Sequence, residues 1–192
     1  AKCRHLQFAK HVFDQMVNKD VVSWTCMVNS YANHGLVENA VQIFNQMPVK
    51  NVVSWNSIIC CHVQKEQYAE VVEIFHRMYI SGVMPDDVTL VSILSCCSNM
   101  GDLALGKQAH IYICDNNITV SVTLCNSLID MYAKFGALQI AMDILWMPEK
   151  NVVSWSVIIG PLALHGFGEE TIEMFKRMRA SGLYPDEITL TG

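Results

Sequence analysis

The sequence is short of charge. Of its 192 residues only 16% are Asp, Glu, Lys or Arg, against 52% hydrophobic, and the mean hydropathy is +0.25. That composition is not that of a disordered tail; it favours an architecture that hides nearly every element on two sides. Long apolar runs are lacking as well. A membrane-spanning helix needs about 18 or more consecutive apolar residues, and runs such as Ser57-Ile-Ile-Cys-Cys61 are interrupted well before that. The eight cysteines, at 3, 26, 60, 61, 96, 97, 114 and 125, contain no Cys-x-x-Cys pair and no matching histidine spacing. This argues against a zinc or disulfide framework and for small packing residues of a reducing compartment. There is no His-x-Glu with a later Cys-x-x-Cys, as zinc deaminases require, no glycine-rich phosphate loop and no acid–base pair at a common site. The chain is therefore not expected to be an enzyme, and no cofactor, metal, small-molecule substrate or membrane partner is expected. Excess positive charge is missing too: the net charge is −5 and the pI about 5.7. Lys65, Lys107, Lys134, Lys150, Lys176, Arg177 and Arg179 are spread without defining the basic track usual in nucleic-acid binders.

What the sequence has is repetition. The phrase Val-Val-Ser-Trp occurs at 21–24, 52–55 and 152–155, and internal periods of this size signal stacked repeats. Taking each phrase as a start divides the chain into a partial unit at 1–20, full units at 21–51, 52–86, 87–121, 122–151 and 152–186, and a beginning at 187–192. Since the chain starts at Ala1 without a methionine and stops at Gly192 inside what reads as a helix start, the array is expected to continue on both sides, with any targeting peptide outside it.

In this register the fifteenth residue is Gly35, Gly101, Gly136 or Gly166, with Glu66 the exception. A glycine there suits a left-handed cap between two helices. A large apolar residue follows at Phe13, Phe44, Phe75, Leu145 and Phe175, with His110 the misfit, and then Met16, Met47, Met78 and Met178. Within 52–86, Ile58, Ile59 and Val63 form one helical stripe and Val71, Val72, Ile74, Phe75 and Met78 a second. Two amphipathic helices per unit follow, each unit leaving an apolar face that only a stacked neighbour covers. Pro85-Asp86, Pro185-Asp186, Met47-Pro48 and Met147-Pro148 stop the second helix. The expected fold is all-α, a right-handed α-solenoid of stacked helix-turn-helix repeats. Two irregularities are expected: Pro161, inside a first helix, should kink it and tilt Ser156, and the 122–151 unit, one residue short around Trp146, should distort its second helix and throw Met147 out of phase.

With Val-Val-Ser-Trp-Asn at 52–56, Asn-Ser-Leu-Ile-Asp-Met-Tyr-Ala-Lys at 126–134, Gly-Glu-Glu-Thr-Ile-Glu-Met-Phe at 168–175 and Tyr-Pro-Asp at 184–186, the chain resembles the pentatricopeptide repeat family over essentially its whole length. The alternating unit lengths resemble the plant subclass built from short, standard and long repeats, whose members mostly serve organellar RNA editing. The tetratricopeptide repeat, of about 34 residues, fits less well, because the Pro-Asp unit ends and Val-Val-Ser-Trp starts are foreign to it.

The resemblance implies sequence-specific binding of single-stranded RNA, one base per repeat, read by the fifth residue of the first helix with the last residue of the unit. It pairs Thr25 with Asn51 for adenine, Asn56 with Asp86 for uracil, Asn126 with Asn151 for a pyrimidine and Ser156 with Asp186 for guanine. Val91 with Ser121 gives no assignment, since an apolar side chain supplies no hydrogen bond, and that long unit is open to a spacing or partner-binding role. Val22, Val53, Val88, Thr123 and Val153 take the base-packing position. With RNA parallel to the chain, the implied core is 5′-A-U-N-Y-G-3′, Asp20 and Thr191 being halves of further sites. The resemblance further implies a mitochondrial or chloroplast location, editing factors as partners and, beyond Gly192, room for a deaminase domain. Two other readings stand beside these. Asn, Ser and Thr near helix starts also serve as caps, and a helical-repeat array can be a scaffold for a peptide or an editing partner. The tryptophans at 24, 55 and 155 read as packing residues.

Overall fold

The computed structural model describes residues 2–145, 150–187 and 189. Among these all regular structure is helical: α1 (Lys2–Gln15), α2 (Val21–Asn33), α3 (Val37–Gln46), α4 (Val52–Val63), α5 (Tyr68–Ile80), α6 (Asp87–Met100), α7 (Leu103–Asp115), α8 (Val122–Lys134), α9 (Leu138–Leu145), α10 (Val152–Leu164) and α11 (Gly168–Ala180). Two compact units, residues 1–92 and 93–192, divide the chain within α6. In the first, α2 packs against α1, α3 and α4, and α4 against α3 and α5. In the second, α8 packs against α7, α9 and α10, and α10 against α9 and α11. The same rule governs both units: successive first helices, α2 with α4 and α8 with α10, lie side by side, so that residues in equivalent positions along them are neighbours.

The stripes expected from the sequence form the cores. Ile58, Ile59, Val71, Ile74 and Met78 are buried, while Val63, Val72 and Phe75 are half-buried. Phe13, Phe44 and Leu145, and Met47, Met78 and Met178, are buried in the equivalent positions; Phe175 and Met16 are half-buried. The tryptophans knit one hairpin to the previous one. Trp24 meets Phe13 edge-on with ring centroids 4.9 Å apart, and Trp55 meets Phe44 at 4.7 Å; such pairs contribute about 0.5–1.5 kcal/mol beyond their buried area. His110, the misfit of that series, sits 2.9 Å from the Tyr132 hydroxyl through Nδ1.

Pro161 does not end its helix. α10 runs through it to Leu164, and the Pro161 carbonyl accepts from the His165 backbone N–H at 3.0 Å. The missing N–H removes one intrahelical bond without interrupting the helix, and Ser156, upstream of it, keeps a bond to the Val152 carbonyl at 3.0 Å. α9 is described over eight residues; the irregularity expected around Trp146 and Met147 lies outside the described residues.

The turn between the helices of a hairpin has one geometry. Gly35, Gly101, Gly136 and Gly166 have φ of +69°, +76°, +71° and +81°, and Glu66, the exception in sequence, adopts φ +57°. The next residue's N–H then reaches back to the first helix, as in Leu36 to the Tyr31 carbonyl at 3.1 Å and Gln67 to the His62 carbonyl at 3.0 Å, closing a Schellman motif. Glu66 therefore carries the steric cost of a left-handed side-chain-bearing residue, roughly 1 kcal/mol. Glu66→Gly is expected to raise unfolding stability by about 0.5–1 kcal/mol in urea denaturation; a loss of stability would contradict the strain.

Candidate functional site

Each first helix after α1 begins on a capping side chain. Oδ1 or Oγ accepts the backbone N–H three residues on: Asp20 from Ser23 at 2.8 Å, Asn51 from Ser54 at 2.9 Å, Asp86 from Thr89 at 3.0 Å, Ser121 from Leu124 at 3.1 Å, Asn151 from Ser154 at 3.0 Å and Asp186 from Thr189 at 2.9 Å. The first turn of a helix has unpaired N–H groups, and Asp, Asn and Ser are the side chains that best satisfy them. These are the residues the sequence places at the unit ends, so the capping reading holds for all of them. It does not exhaust them.

Because neighbouring first helices lie side by side, a cap also faces the fifth residue of the helix before it. Asn56 Nδ2 donates to Asp86 Oδ1 at 2.9 Å. Ser156 Oγ lies 3.4 Å from Asp186 Oδ1, and Asn126 Nδ2 lies 3.4 Å from Asn151 Oδ1. Three of the four sequence-predicted pairs are thus brought together. Thr25 and Asn51 are not bonded to each other: Thr25 donates its hydroxyl to the Val21 carbonyl at 2.7 Å, leaving its oxygen as an acceptor. Val91 is half-buried on α6, and Ser121 caps α8.

The residues one step into the helices are exposed although apolar: Val22, Val53, Val88 and Val153 are 68%, 52%, 50% and 50% exposed, and Thr123 is exposed too. Exposure of a valine at the same helical position four times over contrasts with the complete burial of Ile59 or Leu90 nearby. Val53 and Val88 flank a groove of about 330 Å³ to which Asn56, Asp86, Ser57 and Cys60 also contribute. Val22 lines another, of about 530 Å³, with Phe8, Val12 and Asp20. A smaller cavity of about 230 Å³, at Trp155, Met174 and Arg177, touches none of the sequence-predicted residues.

Two hydroxyls escaped the sequence reading. Thr89 Oγ1 lies 2.6 Å from Asn56 Oδ1, and Thr189 Oγ1 lies 2.6 Å from Ser156 Oγ. Their signal was present as Asp-x-x-Thr, the cap and third helical residue of a capping box, but only the lateral packing of helices shows that the third residue also reaches the previous hairpin. Among the described residues no group of His, Cys, Asp and Glu is arranged to hold a metal.

The caps set the charge of the site. Burial pushes the Asp86 carboxyl up, but hydrogen bonds from the Thr89 backbone, Asn56, the Thr89 hydroxyl and its own backbone N–H outweigh it and hold the group below its ordinary 3.8. In Asp186, the Thr189 hydroxyl and then the Thr189 backbone lower it likewise. A carboxylate with a depressed folded value contributes stability that is present above its unfolded value and lost as pH falls through the folded one. Asp86→Ala is expected to cost about 1 kcal/mol at neutral pH. Asp86→Asn, which keeps a cap but no charge, is expected to stay near wild-type stability at neutral pH and to lose less stability below pH 3.8 than the wild type. Denaturation midpoints against pH check both; identical acid limbs for Asp86→Asn and wild type would contradict the depressed carboxyl.

Comparison with known proteins follows the same residues. The family model described as PPR repeat family matches residues 50–99, and the PPR repeat model matches 22–52, 123–147 and 153–183. A pentatricopeptide repeat-containing protein of Arabidopsis thaliana is 39% identical over 194 aligned residues, covering 100% of this chain and 27% of its own. Another from the same plant is 40% identical over 190, covering 97% and 36%. The chain thus spans roughly a third or less of these relatives. Among solved structures, maize PPR10 superposes with a TM-score of 0.65 at 22% identity, covering 89% of this chain and 26% of its own; PPR10 bound to an 18-nt psaJ RNA element gives 0.66 at 20%, covering 96% and 28%. The PPR domain of Arabidopsis thaliana PRORP1, solved with tRNA, gives 0.70 at 10% identity, covering 85% and 91%. These likenesses establish the helical-repeat solenoid fold, and with the matched repeats and whole-chain relatives they place the chain in the pentatricopeptide repeat family.

Proposed function

We propose that the chain binds single-stranded RNA sequence-specifically, one base per hairpin, with the fifth residue of each first helix and the following cap as the reading pair. The observation that carries this is the coupling of fifth residue to cap at Asn56–Asp86, Asn126–Asn151 and Ser156–Asp186, beside exposed valines that nothing in the fold requires to be exposed. A base lying between Val53 and Val88 would cover their apolar surface and present its edge to Asn56 and Asp86. Asn56 still has one amide proton and one carbonyl lone pair to offer, which suits uracil's O4 and N3–H. Thr25 offers only acceptor capacity, suiting the adenine amino group, and the Asp186 carboxylate suits the N–H donors of guanine. Asn126 with Asn151 takes a pyrimidine. With units at 21–51, 52–86, 87–121, 122–151 and 152–186, the element is 5′-A-U-N-Y-G-3′. The structures of PPR10 with an 18-nt RNA element and of the PRORP1 PPR domain with tRNA support the ligand class.

The charge argues for recognition through bases rather than phosphates. Lys134 is paired with Asp130 at 2.8 Å and Arg177 with Glu173 at 2.7 Å, while Lys50 and Lys150 lie over the rings of Phe44 and Trp155. With these four of the thirteen cations held by neighbouring side chains and a net charge of −5, affinity rests on stacking and base edges, about 1–3 kcal/mol per base. The alternation of unit lengths supports the short, standard and long subclass and so a role as an adaptor in organellar editing or processing, the catalytic step, such as a deaminase, being supplied elsewhere. Two relatives, 31% and 37% identical, are named chloroplastic, which supports an organellar location.

The net charge of −5 favours one rival, a scaffold whose exposed face holds a peptide or an editing partner. The double exchange Asn56→Thr with Asp86→Asn separates the two while preserving a cap. It is expected to move preference at the second nucleotide from U towards A in competition binding with RNAs differing only there. An unchanged RNA preference would contradict base reading and favour the scaffold.

A further inference from the structure

The pairs differ in how firmly the reading side chain is held. At the Asn56 site, Thr89 Oγ1 accepts from the Asp86 backbone N–H at 3.2 Å and lies 2.6 Å from Asn56 Oδ1 and 2.9 Å from Asp86 Oδ1. Both of those oxygens can only accept, so the single hydroxyl proton is shared between them, with the shorter contact to the amide. Asn56 is thereby held at both ends, Oδ1 by Thr89 and Nδ2 by Asp86. Turning the amide over would set its oxygen against the Asp86 carboxylate and lose both bonds. The Ser156 site repeats this arrangement, with Thr189 Oγ1 2.6 Å from Ser156 Oγ and 2.6 Å from Asp186 Oδ1.

Where the third residue is serine, the hydroxyl bonds its own cap but does not reach the reading side chain of the helix before it. Ser54 Oγ donates to the Asn51 carbonyl at 2.8 Å and does not reach Thr25. Ser154 Oγ accepts from the Asn151 N–H at 3.2 Å and donates to Asn151 Oδ1 at 3.1 Å. Asn126 is left with the single 3.4 Å contact through Nδ2, and its Oδ1 is buried without a partner. Turning this amide over would set its oxygen against Asn151 Oδ1 and forfeit that one long contact, but its Oδ1 has no bond to lose, whereas Asn56 would lose two shorter ones. Thr89 Oγ1 and Ser154 Oγ make the same two contacts with their caps, and the γ-methyl of threonine, which narrows χ1, favours the arrangement that adds a bond to the reading side chain.

From this contrast, and resting on the base-reading proposal, we infer that the third residue of each following first helix is a positioning residue that sets the stringency of the site before it. Thr89 and Thr189 pin the reading side chain so that it presents one donor–acceptor pattern. Ser154 leaves Asn126 able to present either, which suits a site that accepts both U and C, since the two bases exchange donor and acceptor at N3 and at the 4-position. A pinned side chain discriminates; a rotatable one tolerates.

The test uses Thr89→Ser, which keeps the cap hydroxyl, and Ser154→Thr, its reciprocal. In competition binding with RNAs carrying U or C opposite the 52–86 hairpin, Thr89→Ser is expected to lower the U-over-C ratio about three- to tenfold, the scale of one hydrogen bond, with affinity for the U-containing RNA and the melting temperature nearly unchanged. Ser154→Thr is expected to create a preference of similar size between U and C opposite Asn126. Independently of RNA, side-chain amide NMR is expected to show slow rotation and solvent protection for Asn56 and not for Asn126, and the two substitutions should reverse those signatures. Equal amide behaviour of Asn56 and Asn126, or an unaltered U-over-C ratio in Thr89→Ser, would overturn the inference. If the amides behave as expected but the wild type shows no base preference, it is the base-reading proposal that fails, and the stringency role with it, while the pinning itself stands.

Discussion

The rest of the molecule depends on the cap at the start of each first helix. A helix that opens against a neighbour needs its first N–H groups satisfied, and one short polar side chain does this at every junction after α1. At three of these junctions lateral packing of first helices also sets that side chain beside the fifth residue of the preceding helix. The cap is therefore a folding requirement and a chemical group on an exposed face at once. Polar residues recur there because the helix needs them, and their kind, carboxylate, amide or hydroxyl, is free to vary from one hairpin to the next. A series of sites that differ in donor and acceptor pattern on a constant backbone is what base-by-base reading needs.

Much of this was legible in sequence because repetition averages out local ambiguity. The three Val-Val-Ser-Trp phrases set a register in which the turn glycines, the Phe and Met stripes and the helix starts at Val21, Val52, Val122 and Val152 all agree with the structure. Glu66 shows why the agreement is not a matter of residue type alone: the turn is dictated by the packing of the two helices, and a non-glycine residue accepts its strain. Pro161 makes the same point for a helix interior, where burial of Ile158, Ile159 and Leu162 on both sides of the proline keeps α10 continuous.

What sequence did not reveal is lateral. Whether a hydroxyl three residues into a helix bonds only its own cap, as at Ser154, or also a side chain some thirty residues earlier, as at Thr89, depends on the placement of the neighbouring helix and its side chain, which is not written in a linear pattern. The same holds for the difference between Asn56 and Asn126, identical residues in identical register, one bonded at both ends and the other with a buried, unpartnered oxygen. Nor does sequence show which cations are engaged, as Lys134 and Arg177 are in ion pairs along their own helices and Lys50 and Lys150 are over aromatic rings.

The central claim is that side chains at the hairpin junctions choose bases. Enrichment of a randomised single-stranded RNA pool on the protein tests it most directly, because nothing about the element is assumed beforehand. Recovery of A-U, one unconstrained nucleotide, a pyrimidine and G, in that order and spacing, is expected. Recovered RNAs with no shared element, or with one whose bases bear no relation to Thr25, Asn56, Asn126 and Ser156, would contradict it.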